Sequence, residues 1–154
     1  MNLRVECKPF DALSLSELYK ILQIRNQVFY VEQRCDDLDL DDRDRQSLHL
    51  SVYDNETLCG YARLLPPGLA YNEMSIGRVA VLKAYRGKKI GKKLMDEAID
   101  SCYRYFDNGA IKISAQLYLQ RFYESLGFEK ISDVYAEAGI EHIKMIKKKI
   151  EDRS

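Results

Sequence analysis

The spacing of apolar and polar positions changes several times along the chain, and each change marks an element. Leu3 to Lys8 alternates and reads as a first strand that Pro9 ends. Ser14-x-x-Glu17 is a capping box, which predicts a helix over Leu15 to Tyr30 with Leu15, Leu18, Tyr19, Leu22, Val28 and Phe29 at helical spacing. His49 to Tyr53 and Leu58 to Leu65 read as strands about the turn Asp54-Asn55-Glu56, and Pro66-Pro67-Gly68 stops the second. Met74 to Val81 is the next strand. A helix over Lys88 to Phe106 follows, with Ile90, Leu94, Met95, Ala98, Ile99 and Cys102 on one apolar face. Beyond the turn Asp107-Asn108-Gly109 come a short buried strand, Ile111 to Ala115, and a helix, Gln116 to Leu126, that Gly127 closes. Phe128 to Val134 and His142 to Ile150 are expected as closing strands joined across Ala136-Glu137-Ala138-Gly139.

The resulting order, β-α-β-β-β-α-β-α-β-β, favours one mixed sheet flanked by helices. The Met74 and Ile111 strands, joined through a helix, should lie parallel by a right-handed crossover. Ligands of such sheets sit at the C-terminal ends of the strands, so the end of the Val79 strand and the start of the Gln116 helix should share a crevice.

A length of 154 residues fits one domain spanning 1–154, and 46% hydrophobic with 31% charged residues is a globular composition. The formal net charge is zero, so no global field draws the chain to nucleic acid or to a membrane surface. No apolar run approaches a membrane span and the N-terminus lacks a signal-like core, so the cytoplasm is the default location. Cys7, Cys35, Cys59 and Cys102 form no Cys-x-x-Cys pair, and the two histidines, His49 and His142, are far apart. Buried or half-buried thiols are expected, and no metal site. Lys147-Lys148-Lys149 reads as a solvated strand end.

Most of the chemistry sits in Ile76 to Lys93, where a β-branched strand runs through a basic turn into a helix. The first turn of a helix offers unpaired N–H groups and the positive end of the dipole, which suits phosphate. Gly87 and Gly91 let a ligand approach the backbone, and Arg86, Lys88, Lys89, Lys92 and Lys93 bring charge. The turn predicts a polyphosphate-bearing ligand.

Here the sequence resembles the GNAT superfamily of acyl-CoA-dependent N-acetyltransferases. Arg86-Gly87-Lys88-Lys89-Ile90-Gly91 is similar to that family's pyrophosphate motif, with Lys89 in place of the first motif glycine and compatible with it if helical there. Tyr123 to Phe128 is similar to the family's Tyr-x-x-x-Gly-Phe segment. A third group resembles the ElaA-like branch: Val28 to Cys35, Asp41 and Asp44, His49-Leu50, Gly60 to Gly68, Gly77 to Val81, Ser114-Ala115-Gln116, and Gly139 to Met145. The resemblance implies an α/β fold of the α+β kind. It would be a single GNAT-like domain, with a mixed, mostly antiparallel twisted sheet of about seven strands flanked by helices. A central parallel pair would lie at the acetyl-CoA crevice.

The family reaction is attack of a neutral amine on a thioester through a tetrahedral oxyanion, with loss of a thiolate. The resemblance implies Tyr123 as the acid for the leaving sulfur, a phenol with an ordinary pKa of about 10. Backbone groups of Val79, Ala80 and Val81 would hold the oxyanion and pantetheine arm. Arg86 and the amides of Gly87, Lys88, Lys89, Ile90, Gly91 and Lys92 would hold the pyrophosphate. Glu32, directly or through water, and His142 are the candidate bases. Gln33, Asp44 and Gln116 match polar positions of the ElaA-like pattern and are expected at the acceptor. Arg63 and Arg78 lie within apolar strands, so each should pair with Glu32, Asp41 or Asp44 or else recognise an acceptor carboxylate. The acidic loop from Asp36 to Asp44 would favour a cationic acceptor by steering. The expected function is direct transfer of acetyl from acetyl-CoA to a small-molecule primary amine, with room for a homodimer. A protein lysine or N-terminal acceptor and a non-catalytic acyl-CoA-binding sensor or assembly module are the alternatives.

Overall fold

The computed structural model describes residues 1–149. β1 (Leu3–Pro9) pairs antiparallel with β2 (Leu48–Asp54), which turns at Asn55 into β3 (Thr57–Leu65), and β3 pairs antiparallel with β4 (Ser75–Val81). In a second sheet β5 (Ile111–Gln116) lies antiparallel to β8 (Ile140–Lys147), whose other edge takes β6 (Glu129–Lys130) and β7 (Tyr135–Glu137). Among the described residues there are thus eight strands, one more than expected, and the extra one is β7.

The two sheets meet at a single parallel bridge, Met74 to Ile111, where the Lys112 N–H donates to the Met74 carbonyl at 2.9 Å. The expected parallel pair is real but confined to this point. Farther along, β4 and β5 share no ladder, so two unpaired strand edges face a crevice that opens toward their C-terminal ends. One cause lies in β4: Arg78 and Val79 stand opposite the single residue Ala62, a bulge with Arg78 at φ +50°. A bulge bends its strand and sharpens its twist, carrying β4 away from its neighbour.

Helix α2 (Ile90–Tyr105) buries the predicted face, Ile90, Leu94, Met95, Ala98, Ile99 and Cys102, against the sheet. Gly60 makes room for it, since a Cβ there would lie 3.2 Å from the Ile90 Cγ2. The helix begins at Ile90, not Lys88, because Lys89 is left-handed. α1 (Leu15–Arg25) has the predicted capping box, but its buried face is Ile21, Ile24 and Arg25, continued by Val28. Leu15 (88% exposed) and Tyr19 (67%) point to solvent, which corrects the predicted face. After Arg25 the helix widens to π-helical over Asn26–Glu32, the Gln33 N–H bonding the Val28 carbonyl five residues back.

The predicted helix from Gln116 starts later. Gln116 ends β5, Leu117–Leu119 forms a 3-10 turn, and α3 is Gln120–Ser125. Of the strand expected over Phe128 to Val134 only β6 forms, because the Ser132 hydroxyl takes the Lys144 N–H at 2.8 Å and ends the ladder. Ile150 lies outside the described residues. All four cysteines are free thiols; Cys59 and Cys102 are buried, and burial pushes Cys102 up to about 12.

Candidate functional site

At the C-terminal end of β4 the chain makes a tight 3-10 turn, Lys83–Tyr85, and enters the basic loop. Gly87 is at φ +78° and Lys89 at φ +63°, ψ +19°. Lys89 therefore takes the left-handed conformation that favours glycine, not the helical dihedrals expected. That reversal delivers the chain to α2 without a side-chain cap and without an acidic residue in the first turn. The N–H groups of residues 87–92 have no well-aligned acceptor among the described residues. A Cβ at Gly87 would meet nothing within 4 Å, so the loop is open to a ligand there. Beside it, an open hollow of about 400 Å³ is lined by Lys89, Lys92, Lys93, Asp96 and Glu97. Unpaired amides, a helix N-terminus and surrounding lysines together suit a multiply charged anion.

Arg86 does not extend toward that anion site. Its Nε and Nη2 donate to the Val81 carbonyl at 3.1 and 2.9 Å, and its Nη1 lies 2.7 Å from Glu32 Oε2. The expected phosphate ligand and an expected base thus hold each other, and the Val81 carbonyl is already satisfied. Residue 33 reaches the opposite side: Gln33 and Gln116 exchange side-chain hydrogen bonds of 3.0 and 3.5 Å. Consecutive side chains at the end of the π-helical segment therefore tie it to both lips of the crevice, Glu32 to the turn after β4 and Gln33 to the end of β5.

Across the ladder from Gln116 sits His142. Its Nδ1 is 2.7 Å from the Ile140 carbonyl, which fixes the Nδ1–H tautomer for the neutral ring. Nε2 lies 3.4 Å from Glu137 Oε2, a contact that becomes an ion pair when the ring takes a proton, and the ring stacks on Tyr135. Ser114 bonds both the Tyr135 hydroxyl and Glu137. Tyr135 and Glu137 belong to β7, which lies outside the predicted strands, and neither is among the residues expected at the site. Asp36 adds a second carboxylate to this rim, its Oδ2 3.9 Å from where a Cβ on Gly139 would be.

Tyr123, on α3, is 6% exposed and packs edge-on against Phe122 and Phe128 at centroid distances of 5.3 and 6.0 Å. Phe122 in turn reaches Gly91 at the start of α2, which brings α3 beside the basic turn. The Tyr123 hydroxyl makes no hydrogen bond to a described residue. Burial, with Tyr118 adding to it, pushes Tyr123 up to about 12, so the phenol keeps its proton and is a weaker acid than expected. Tyr118 itself is exposed.

The acidic loop is not an open acidic surface. Asp39, Asp41 and Asp44 turn inward onto three arginines, while Asp36, Asp37 and Asp42 stay exposed. Arg25, fully buried, donates to Asp39 Oδ2 at 2.9 Å, to Asp44 Oδ1 at 2.7 Å and to the Asp39 carbonyl at 3.1 Å. Arg63 grips Asp41 through both Nη atoms, at 2.7 and 2.8 Å, and Asp44 at 3.0 Å, leaving its buried Nε without a partner. Arg78 reaches Asp39 through Oδ1 at 2.8 Å and the carbonyl at 2.9 Å, and Asp41 at 3.4 Å. Burial alone would raise Asp41 and Asp44, but the guanidinium groups hold both below the usual carboxylate range. Arg63 and Arg78 thus take the carboxylate pairing that was the first of their two expected roles, and Asp44, expected at the acceptor, sits in the same internal network, whose charges satisfy one another. Arg25, its centre, was missed. His49 adjoins it as a satisfied buried histidine, between the Tyr61 hydroxyl and the Asp44 carbonyl, and burial pulls it down.

Among the described residues no helix is long and apolar enough to cross a membrane. A family profile described as an acetyltransferase (GNAT) domain matches residues 24–149. The Escherichia coli protein ElaA is 40% identical over 141 residues, 90% of this chain and 92% of that protein. A UPF0039 protein of Synechocystis is 41% identical over 147 residues, 95% and 96% of the two chains. The crystal structure of an acyl-CoA N-acyltransferase from Pseudomonas aeruginosa superposes with TM-score 0.90 and 36% identity, covering 95% of this chain and 99% of that one. The crystal structure of E. coli ElaA superposes with TM-score 0.89, 36% identity and the same coverage.

Proposed function

The chain belongs to the GNAT acetyltransferase family of acyltransferases, and on that premise we propose that it transfers acetyl from acetyl-CoA directly to the primary amine of a small cationic acceptor. The observation that carries the reading is the crevice lip, where an unpaired β4 edge runs straight into the acceptor-free amides of residues 87–92. An open edge takes a thin, amide-bearing arm as it would a strand, and the amides at its end take the pyrophosphate. That is the outline of coenzyme A. Val79 and Ala80 would orient the thioester carbonyl through their backbone N–H groups.

In the transfer the amine nitrogen bonds to the carbonyl carbon, the carbon–sulfur bond breaks, and the amine proton and the sulfur's negative charge need partners. His142, whose Nε2 on taking a proton would pair with Glu137, is the base we favour over Glu32, whose carboxylate is committed to Arg86. Glu137 and Asp36 give the rim the negative charge that attracts an ammonium group. Tyr123, protonated at all working pH values, donates to the departing sulfur.

The test is calorimetry with acetyl-CoA, followed by an amine panel read by release of free thiol. The panel includes polyamines, aminoglycosides and lysine peptides. Dissociation constants in the tens of micromolar or below are expected, about −6 kcal/mol or tighter. Tyr123→Phe should lower turnover about 100-fold with acetyl-CoA affinity within about threefold. Absence of binding at millimolar acetyl-CoA sinks the assignment, and turnover of peptides alone sinks the small-acceptor part.

A further inference from the structure

One residue of β4 stands in a conformation its side chain does not favour. Arg78 is at φ +50° in the bulge opposite Ala62, where the chain has no glycine to make the turn easily. What holds it there is Asp39. The Arg78 Nε and Nη2 grip the Asp39 carboxylate and its backbone carbonyl at 2.8 and 2.9 Å. The other carboxylate oxygen and the same carbonyl are held by the buried Arg25, so Asp39 is anchored to α1 from behind. The adjoining residue, Val79, shares the bulge with Arg78 and likewise has no partner in the ladder with β3.

We infer that Asp39 is a positioning residue for acyl transfer: through Arg78 it locks the left-handed bulge that presents the Val79 peptide to the thioester carbonyl. The inference rests on the acyl-CoA reading and adds a residue that touches neither coenzyme nor acceptor. It requires that the guanidinium matter for the backbone angle it enforces and not for its charge. Glycine reaches φ +50° at no steric cost, whereas alanine pays there and stays only where its surroundings hold it, as Ala138 does at φ +52°.

The experiment compares Arg78→Gly, Arg78→Ala, Asp39→Asn and Asp39→Asn with Arg78→Gly. All are titrated with acetyl-CoA carrying carbon-13 at the carbonyl, and the bound resonance reports hydrogen bonding to that oxygen. Both Arg78 variants lose the same ion pairs and differ only in backbone preference. Arg78→Gly should keep the wild-type displacement of the resonance, and Arg78→Ala and Asp39→Asn should lose it. Adding Arg78→Gly to Asp39→Asn should restore it. Equal signals from the Gly and Ala variants, or no restoration in the double variant, would overturn the inference while leaving the acyl-CoA reading intact. Failure of the wild type to bind acetyl-CoA would overturn both. If Asp39→Asn does not fold, the Gly and Ala pair at Arg78 decides alone.

Discussion

Arg25 offers the sharpest test of what the inward-facing acidic loop contributes to the fold. Its guanidinium is buried and makes three hydrogen bonds, to Asp39 Oδ2, Asp44 Oδ1 and the Asp39 carbonyl. Arg25→Met keeps most of the side chain's length and bulk and removes those donors. Breaking a buried pair from one side costs about 3–5 kcal/mol. Asp39 keeps Arg78 and Asp44 keeps Arg63, so neither carboxylate is left alone, and the low end, about 3 kcal/mol, is expected. For a chain of this size that is a fall in melting temperature of roughly 6–12 °C. The chain has no tryptophan, so urea unfolding is best followed by far-ultraviolet circular dichroism. In a double-mutant cycle with Asp44→Asn the two losses should fall short of additivity by about 1–2 kcal/mol. A cost below about 1 kcal/mol, or strict additivity, would mean that the network behaves as solvated surface pairs do.

Three other outcomes follow from the same contacts. His49 is held neutral with its pKa lowered, and Glu17 (about 2), Asp41 and Asp44 are held below their ordinary values. In each case the unfolded chain takes up protons first, so stability is full above about pH 6.5 and falls as pH drops. The urea midpoint should decline gently below about 6.5 and steeply below about 4.5, and a flat midpoint down to pH 4 refutes this. Lys89→Gly should relieve the left-handed strain and raise stability by about 0.5–1 kcal/mol in thermal melts, and a loss would show that the lysine side chain holds the turn. Arg86→Ala frees Glu32 and the Val81 carbonyl, and because the guanidinium is turned away from the anion site acetyl-CoA affinity by calorimetry should change by less than about threefold, with little change in stability for so exposed a pair. A tenfold loss of affinity would show that Arg86 leaves Glu32 to hold the pyrophosphate.

The legible parts of the fold are those whose signal is local. α2 was readable because six apolar side chains repeat on one face with charge opposite. The β2–β3 pair was readable because two mainly apolar runs flank a turn. α1 misled because its buried face includes an arginine, which any apolar pattern scores as surface, while Leu15 and Tyr19 are apolar and exposed. The arginine's partners lie 14 and 19 residues away, so nothing near it in sequence announces the pairing. β7 carries no pattern of its own and exists because β8 offers it an edge; Tyr135 and Glu137 were lost with it. The phosphate turn was legible as composition and spacing, but its left-handed lysine and the clasp between Arg86 and Glu32 depend on tertiary contacts.

The facing edges of β4 and β5 carry a cost in the free protein. An unpaired edge is a template for strands of other molecules, and proteins usually blunt it with charge, proline or a covering element. Here the protection is the bulge that kinks one side and the Met74–Ile111 bridge that closes one end of the gap. A gap that widens on warming loses that protection before the core melts. The coenzyme would then serve the molecule as a missing strand, and light scattering should show clumping of the free chain at temperatures where saturated protein stays clear. If the ligand does not delay the onset, the edges are not where the molecules join.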